Sequence, residues 1–240
     1  MTEHSTTKSP AVLSVAAARL SIAAAIAYQL ILLALIFLRP DLDPSWHTVS
    51  EWAIGPYGWL MQTAFVVSAV SYGALFVVVR RHVRGVLGRI GLAILLLCAI
   101  GAAGVGLFVT DPMPLRPPLS TTGTFHVVFG TIQLMLLPFA ALPVTVALMR
   151  RSAAWADARP VLRWTAGLPL LAFIGFVVHL ALFVIPLGPS AYGPGVQIGW
   201  PPRVLFLIYG IWVISVAHQA LTVHARGFAR GGLDAQDPIS

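Results

Sequence analysis

Acidic residues are nearly absent from this chain: eight in 240, against fifteen basic ones, of which a single one is lysine. Charged residues of both signs make up only 10%, where a soluble domain carries about 25%. So little charge cannot clothe a water-soluble surface. There is one cysteine, Cys98, which rules out a disulfide within the chain and any cysteine-rich metal motif. His-x-x-x-His, His-Glu-x-x-His and Gly-x-Ser-x-Gly are all missing, as are Walker and Rossmann glycine loops. No metal and no cofactor is therefore expected. His179 and His218 fall in opposite halves of different apolar segments, which disfavours a shared haem iron.

What fills the chain is apolar: 58% of its residues, with a mean hydropathy of +0.86. The apolar residues gather in six segments at 20–38, 57–79, 90–109, 124–149, 165–185 and 204–223. Each is long enough to cross a hydrocarbon core of about 30 Å as a helix. The expected fold class is all-α: a polytopic membrane protein built as a six-transmembrane-helix bundle. Residues 1–10 and 226–240 read as polar tails flanking one transmembrane domain over 11–225.

The basic residues are unevenly placed. Twelve of the fifteen lie before the first segment, between the second and third, between the fourth and fifth, or after the sixth. Arg39, Arg116 and Arg203 alone lie on the other side. The positive-inside rule then predicts a cell-membrane protein with both termini cytoplasmic. The basic loops are short and lack interleaved aromatics, so nucleic acid is not an expected partner; membrane lipids are. The sequence carries no signal for an oligomeric state.

Polar chemistry concentrates in the three connections expected outside. They hold Asp41, Asp43, His47, Ser50, Glu51, Asp111 and, near helix starts, His126 and Arg203. Carboxylates, an imidazole and a guanidinium at one membrane face form a candidate acid/base or anion-binding set. Asp41 and Asp43 each neighbour a turn or proline and suit solvated turns. Glu51, Asp111 and His126 are the candidate catalytic residues. Ser50, Trp52, Trp59, Arg203 and Asp43 are the candidate ligand-binding ones, with the tryptophans able to wall a pocket or to join an interfacial belt. Glu51, Asp111, His126 and Arg203 are expected to face one shared outer cavity. His126 and Gln133, seven residues apart, share a helix side. Gly101, Gly104 and Gly106 should form a packing seam, Pro138 and Pro143 should kink their helix, and Ser215, His218 and Thr222 should bond to a neighbouring helix.

Two blocks carry a family likeness. Arg39-Pro40-Asp41-Leu42-Asp43-Pro44 with Ser50-Glu51-Trp52 and Gly58-Trp59-Leu60-Met61 resembles the first block of the "domain of unknown function 998" membrane proteins. Phe108-Val109-Thr110-Asp111-Pro112 with Gly123-Thr124-Phe125-His126 resembles the second, and Arg203 a third. Val109 and Pro202 depart from the family pattern. The resemblance implies an integral membrane protein without an established activity, and it marks Ser50, Glu51, Asp111 and His126 as pattern positions. Three functions follow as expectations: binding of a lipid or small apolar molecule at an outward-facing polar pocket; acid/base catalysis by Glu51, Asp111 and His126 on a lipid or prenyl-type substrate; or transport.

Overall fold

The computed structural model describes residues 10–151, 155 and 157–234. Six long helices follow one another: α1 (Pro10–Leu38), α2 (Gly58–Val79), α3 (Val86–Leu107), α4 (Thr121–Arg151), α5 (Arg159–His179) and α6 (Trp200–Asp234). All six are long and apolar enough to cross a membrane. The chain is a multi-pass membrane protein with an all-helical architecture. Lipid offers no partner to a backbone N–H or C=O, and a helix satisfies both internally. The sequence leaves these runs no other solution.

The helix ends differ from the expected segments. α1 begins at Pro10 rather than residue 20, because the alanine-rich stretch before Leu20 continues the helix. α6 runs on to Asp234, into the stretch expected to be a tail. Residues 1–9 and 235–240 of the expected tails lie outside the described residues. Helix α5 passes into a π-helical turn, Leu180–Val184, and a 3-10 segment, Ile185–Ser190, which turns at Gly188 (φ 53°).

Consecutive helices pack as neighbours, and α1 and α6 close the bundle. Gly101 and Gly104 pack α3 against α4, whereas Gly106 faces α2 at Gln62 and Val66: a Cβ on Gly101 would come within 2.9 Å of the Phe129 carbonyl oxygen and 3.0 Å of the Gln133 nitrogen. Such backbone proximity needs a residue without a side chain. Pro138 and Pro143 both lie within α4, whose helix continues through them.

Several polar groups inside the bundle are paired across helices, while the buried Tyr28 hydroxyl has no hydrogen-bond partner among the described residues. Ser21 and Ser71 each donate to the other's carbonyl at 2.9 Å, joining α1 to α2. Trp212 donates to Thr145 at 3.0 Å, Tyr209 to the Leu134 carbonyl at 2.8 Å, and Gln133 to Ser68 at 3.4 Å. The polar stripe of α6 behaves otherwise. Ser215 and Thr222 bond back to Ile211 and His218 of their own helix, and His218 is exposed. A hydroxyl one turn from its own carbonyl needs no neighbour.

The connections α1–α2, α3–α4 and α5–α6 meet at one end of the bundle, where Gly199 donates to the Ser45 carbonyl at 2.8 Å. The opposite end carries exposed Arg80, Arg84, Arg89, Arg159, Arg163 and Arg226, the last paired with Asp157 at 2.5 Å.

Candidate functional site

The α1–α2 connection folds on Arg39. The residue is 6% exposed, and its guanidinium donates to both oxygens of Asp41 and to the carbonyls of Ile54 (2.8 Å) and Pro56 (3.0 Å). Hydrogen bonding to Arg39 holds the Asp41 carboxyl below the usual carboxylate range. Asp41 is thus an ion-pair partner as well as an exposed turn residue. Asp43 makes the turn expected of it, accepting the Ser45 N–H at 2.8 Å, and that bond lowers its carboxyl likewise.

Thr48 opens a short 3-10 helix, Val49–Ala53, and the next residues point in three directions. Ser50 meets His126 of α4 at 2.8 Å. Glu51 turns back on its own helix: one oxygen accepts the Thr48 N–H (2.5 Å) and hydroxyl (3.1 Å), and the other accepts the Tyr192 phenol from the α5–α6 connection. Trp52, 2% exposed, donates to the Leu35 carbonyl of α1 at 3.2 Å. The tripeptide Ser50-Glu51-Trp52 is a three-way junction. Its residues anchor one loop to three separate parts of the bundle.

Arg203 locks the same loop from α6. One nitrogen donates to the carbonyls of Pro44 (3.2 Å), His47 (2.9 Å) and Gly199 (2.7 Å), and the guanidinium lies 4.2 Å above the Trp52 ring. The three carbonyls and the ring face account for its charge.

Asp111 is drawn to the start of α4. Its two oxygens accept the Ser120 hydroxyl (2.5 Å) and N–H (2.8 Å), while the Ser120 oxygen accepts the Gly123 N–H at 2.9 Å. Serine caps the helix and the carboxylate sits at its positive end. Gly123 lies directly beneath the carboxylate, where a Cβ would collide with it. The second family block is thereby a helix start: Asp111 secures the cap, Gly123 makes room, and His126 follows one turn later.

His126 is 4% exposed and bonded at both nitrogens. Nδ1 lies 2.7 Å from the Phe108 carbonyl and Nε2 2.8 Å from the Ser50 hydroxyl. A carbonyl can only accept, so Nδ1 carries hydrogen. In the neutral ring Nε2 then presents a lone pair, to which Ser50 donates.

Beside this pair lies a cavity of about 320 Å³. Ser50 and His126 line it together with Phe65, Leu134, Phe176 and Phe206, among others, and its wall carries no Asp, Glu, Lys or Arg side chain. Val127 and Thr131 of α4 belong to the lining and are exposed, so the cavity reaches the bundle surface there.

The single polar cavity expected for Glu51, Asp111, His126 and Arg203 is not what forms. His126 lines the cavity, but Glu51, Asp111 and Arg203 do not. Asp111 borders a separate surface hollow with Arg116 and Ser120. Trp52 is buried under Arg203, and Trp59 is 65% exposed at the start of α2, where an interfacial aromatic belongs. Neither tryptophan lines the cavity. The sequence carries no sign of the cavity wall on α5, the turn after it and α6 (Phe176, Leu180, Phe206), because an apolar residue in an apolar helix does not show that it faces a void. Nor does it single out Gly130, which lines the cavity, or Tyr192 as the partner of Glu51.

A family model described as "Protein of unknown function (DUF998)" matches residues 22–219, and the chain belongs to that family. No curated protein and no solved structure matches it.

Proposed function

We propose that this protein resides in the cell membrane with both termini cytoplasmic, and that it binds a lipid or other small apolar molecule in the cavity beside Ser50 and His126. The carrying observation is the wall itself: about 320 Å³ enclosed mainly by aromatic and aliphatic side chains, without a charged group. Ligand sites have this character, concave and largely apolar with a few placed polar groups, and volumes from about 300 Å³ upward. The few polar groups here are Ser50, His126, Gln133 and three threonines. The exposed rim at Val127 and Thr131 suits entry from the bilayer rather than from water. Acid/base chemistry by Glu51 and Asp111 has less support, since the oxygens of both are occupied elsewhere.

Gly130 supplies the test. A Cβ there would meet nothing nearer than the Val105 side chain, at 3.7 Å, so Gly130→Leu places its side chain in the void without displacing backbone. A diazirine-bearing alkyl lipid, photolysed with the protein in nanodiscs, should crosslink to Met135, Phe176 or Leu180, and Gly130→Leu should abolish this at unchanged melting temperature. Crosslinks spread evenly over all lipid-facing helices would overturn the reading.

A further inference from the structure

We propose that Ser50 is a nucleophile with His126 as its base, and that the cavity receives the acyl part of an ester. This rests on the binding reading above and adds a reaction to it.

Three observations converge. The Ser50 oxygen and His126 Nε2 are 2.8 Å apart, within reach for proton transfer. The other ring nitrogen is held 2.7 Å from the Phe108 carbonyl, which fixes the ring and leaves the Nε2 lone pair toward the hydroxyl. A nucleophile, a base and a third group that orients the base are the parts of covalent acyl transfer. The pair is also open to a ligand, because both side chains belong to the cavity wall. A mere brace between the loop and α4 needs no such opening. The substrate class follows from that wall. With no ion to meet a charge, it suits a neutral hydrocarbon chain and its carbonyl, leaving any charged alcohol portion outside.

The chemistry balances with water as the second reactant. The Ser50 oxygen adds to the ester carbonyl carbon as its proton passes to Nε2. The bond between that carbon and the alcohol oxygen breaks, and Nε2 returns the proton to the departing oxygen, leaving acyl-Ser50. Water then gives a proton to Nε2 as its oxygen adds to the acyl carbon. The bond to Ser50 breaks, the serine oxygen recovers the proton, and a carboxylic acid leaves. When the ring is cationic its Nδ1–H bond to Phe108 strengthens. Ser50 and His126 are the catalytic residues; Phe108 positions the ring through its carbonyl.

The experiment uses the full chain in nanodiscs and a long-chain alkyl fluorophosphonate, which traps activated serines, alongside the diazirine lipid. Mass spectrometry of the wild-type protein should find the phosphonyl group on Ser50, an assignment that needs no variant to fold. His126→Gln should slow the labelling about a hundredfold or more. The labelling rate should follow the titration of an imidazole in wild type and lose that dependence in His126→Gln. Crosslinking in the cavity without phosphonylation of Ser50 would overturn the nucleophile and leave the binding reading standing. Equal labelling of wild type and His126→Gln would remove His126 as base. Absence of both signals would remove the two readings together.

Discussion

Tyr192 donates its phenol hydrogen to Glu51 from 141 positions further along the chain. The bond ties the α5–α6 connection to the α1–α2 connection at the end of the bundle where the three connections meet. Around it Trp46 meets Tyr192 edge-on at 5.1 Å, and His47 does so at 6.2 Å. Burial first, and Glu51 second, push the Tyr192 phenol above its ordinary range.

This gives a pH dependence of definite sign. A group whose pKa is higher folded than unfolded contributes stability below its unfolded value, about 10 for tyrosine. That contribution falls away as pH rises through the folded value. Tyr192→Phe should therefore lose stability relative to wild type at pH 8, and the gap should narrow above pH of about 10. Melting temperatures of both proteins in nanodiscs across this range give the test. The remaining tyrosines are common to both and cancel in the difference. A gap that widened with alkali would contradict the bond.

Arg203 should prove a clamp. Arg203→Met leaves the carbonyls of Pro44, His47 and Gly199 without their donor and the Trp52 face without its cation. The expected loss is about 2–4 kcal/mol. Arg203→Lys should recover part of it, because one nitrogen makes all three hydrogen bonds, but not the stacking of the flat guanidinium. Thermal melts of the two variants should rank wild type, Lys, Met.

Glycines at the seam and glycines facing lipid should respond oppositely to the same change. Gly101→Ala forces α3 from the α4 backbone and should cost about 1–3 kcal/mol. At Gly167, exposed on α5, a Cβ meets nothing within 4 Å. Gly167→Ala should be neutral, or stabilising by up to about 1 kcal/mol from helix propensity. Equal losses at both positions would mean that seam packing is not what distinguishes them.

The proposed orientation is tested with engineered thiols after Cys98→Ala. Arg116 lies exposed in the α3–α4 connection and Arg84 exposed at the opposite, basic end. An impermeant maleimide on intact cells should modify Arg116→Cys and leave Arg84→Cys untouched. The reverse pattern would invert the proposed topology.

The spans were legible because long apolar runs admit only helices in lipid. Their ends were less so, since alanine before Leu20 and the polar residues after Val223 are compatible with helix or tail alike. The site was legible as positions but not as partnerships. Ser50, Glu51, Asp111 and His126 stood out because they are polar residues of the outer connections that fall in the two blocks resembling the family. Nothing in the spacing said that Ser50 would find His126, 76 residues away, or that Asp111 would be taken up by Ser120. A helix apolar on every side also conceals which face meets protein and which meets lipid or a void. For that reason the cavity wall of α5 and α6 could not be read from the chain.

The paired serines of α1 and α2 bear on how the bundle can move. Apolar helix pairs in lipid are registered by side-chain packing alone, which leaves small axial adjustments open. Ser21 and Ser71 remove that freedom, since each is donor to the other's carbonyl and one axial step breaks both bonds together. The first hairpin is thereby a registered unit, a fixed rail within the fold. Leu180, in the π-helical turn Leu180–Val184 that follows α5, lines the cavity, so an irregular turn rather than the rail borders it on that side.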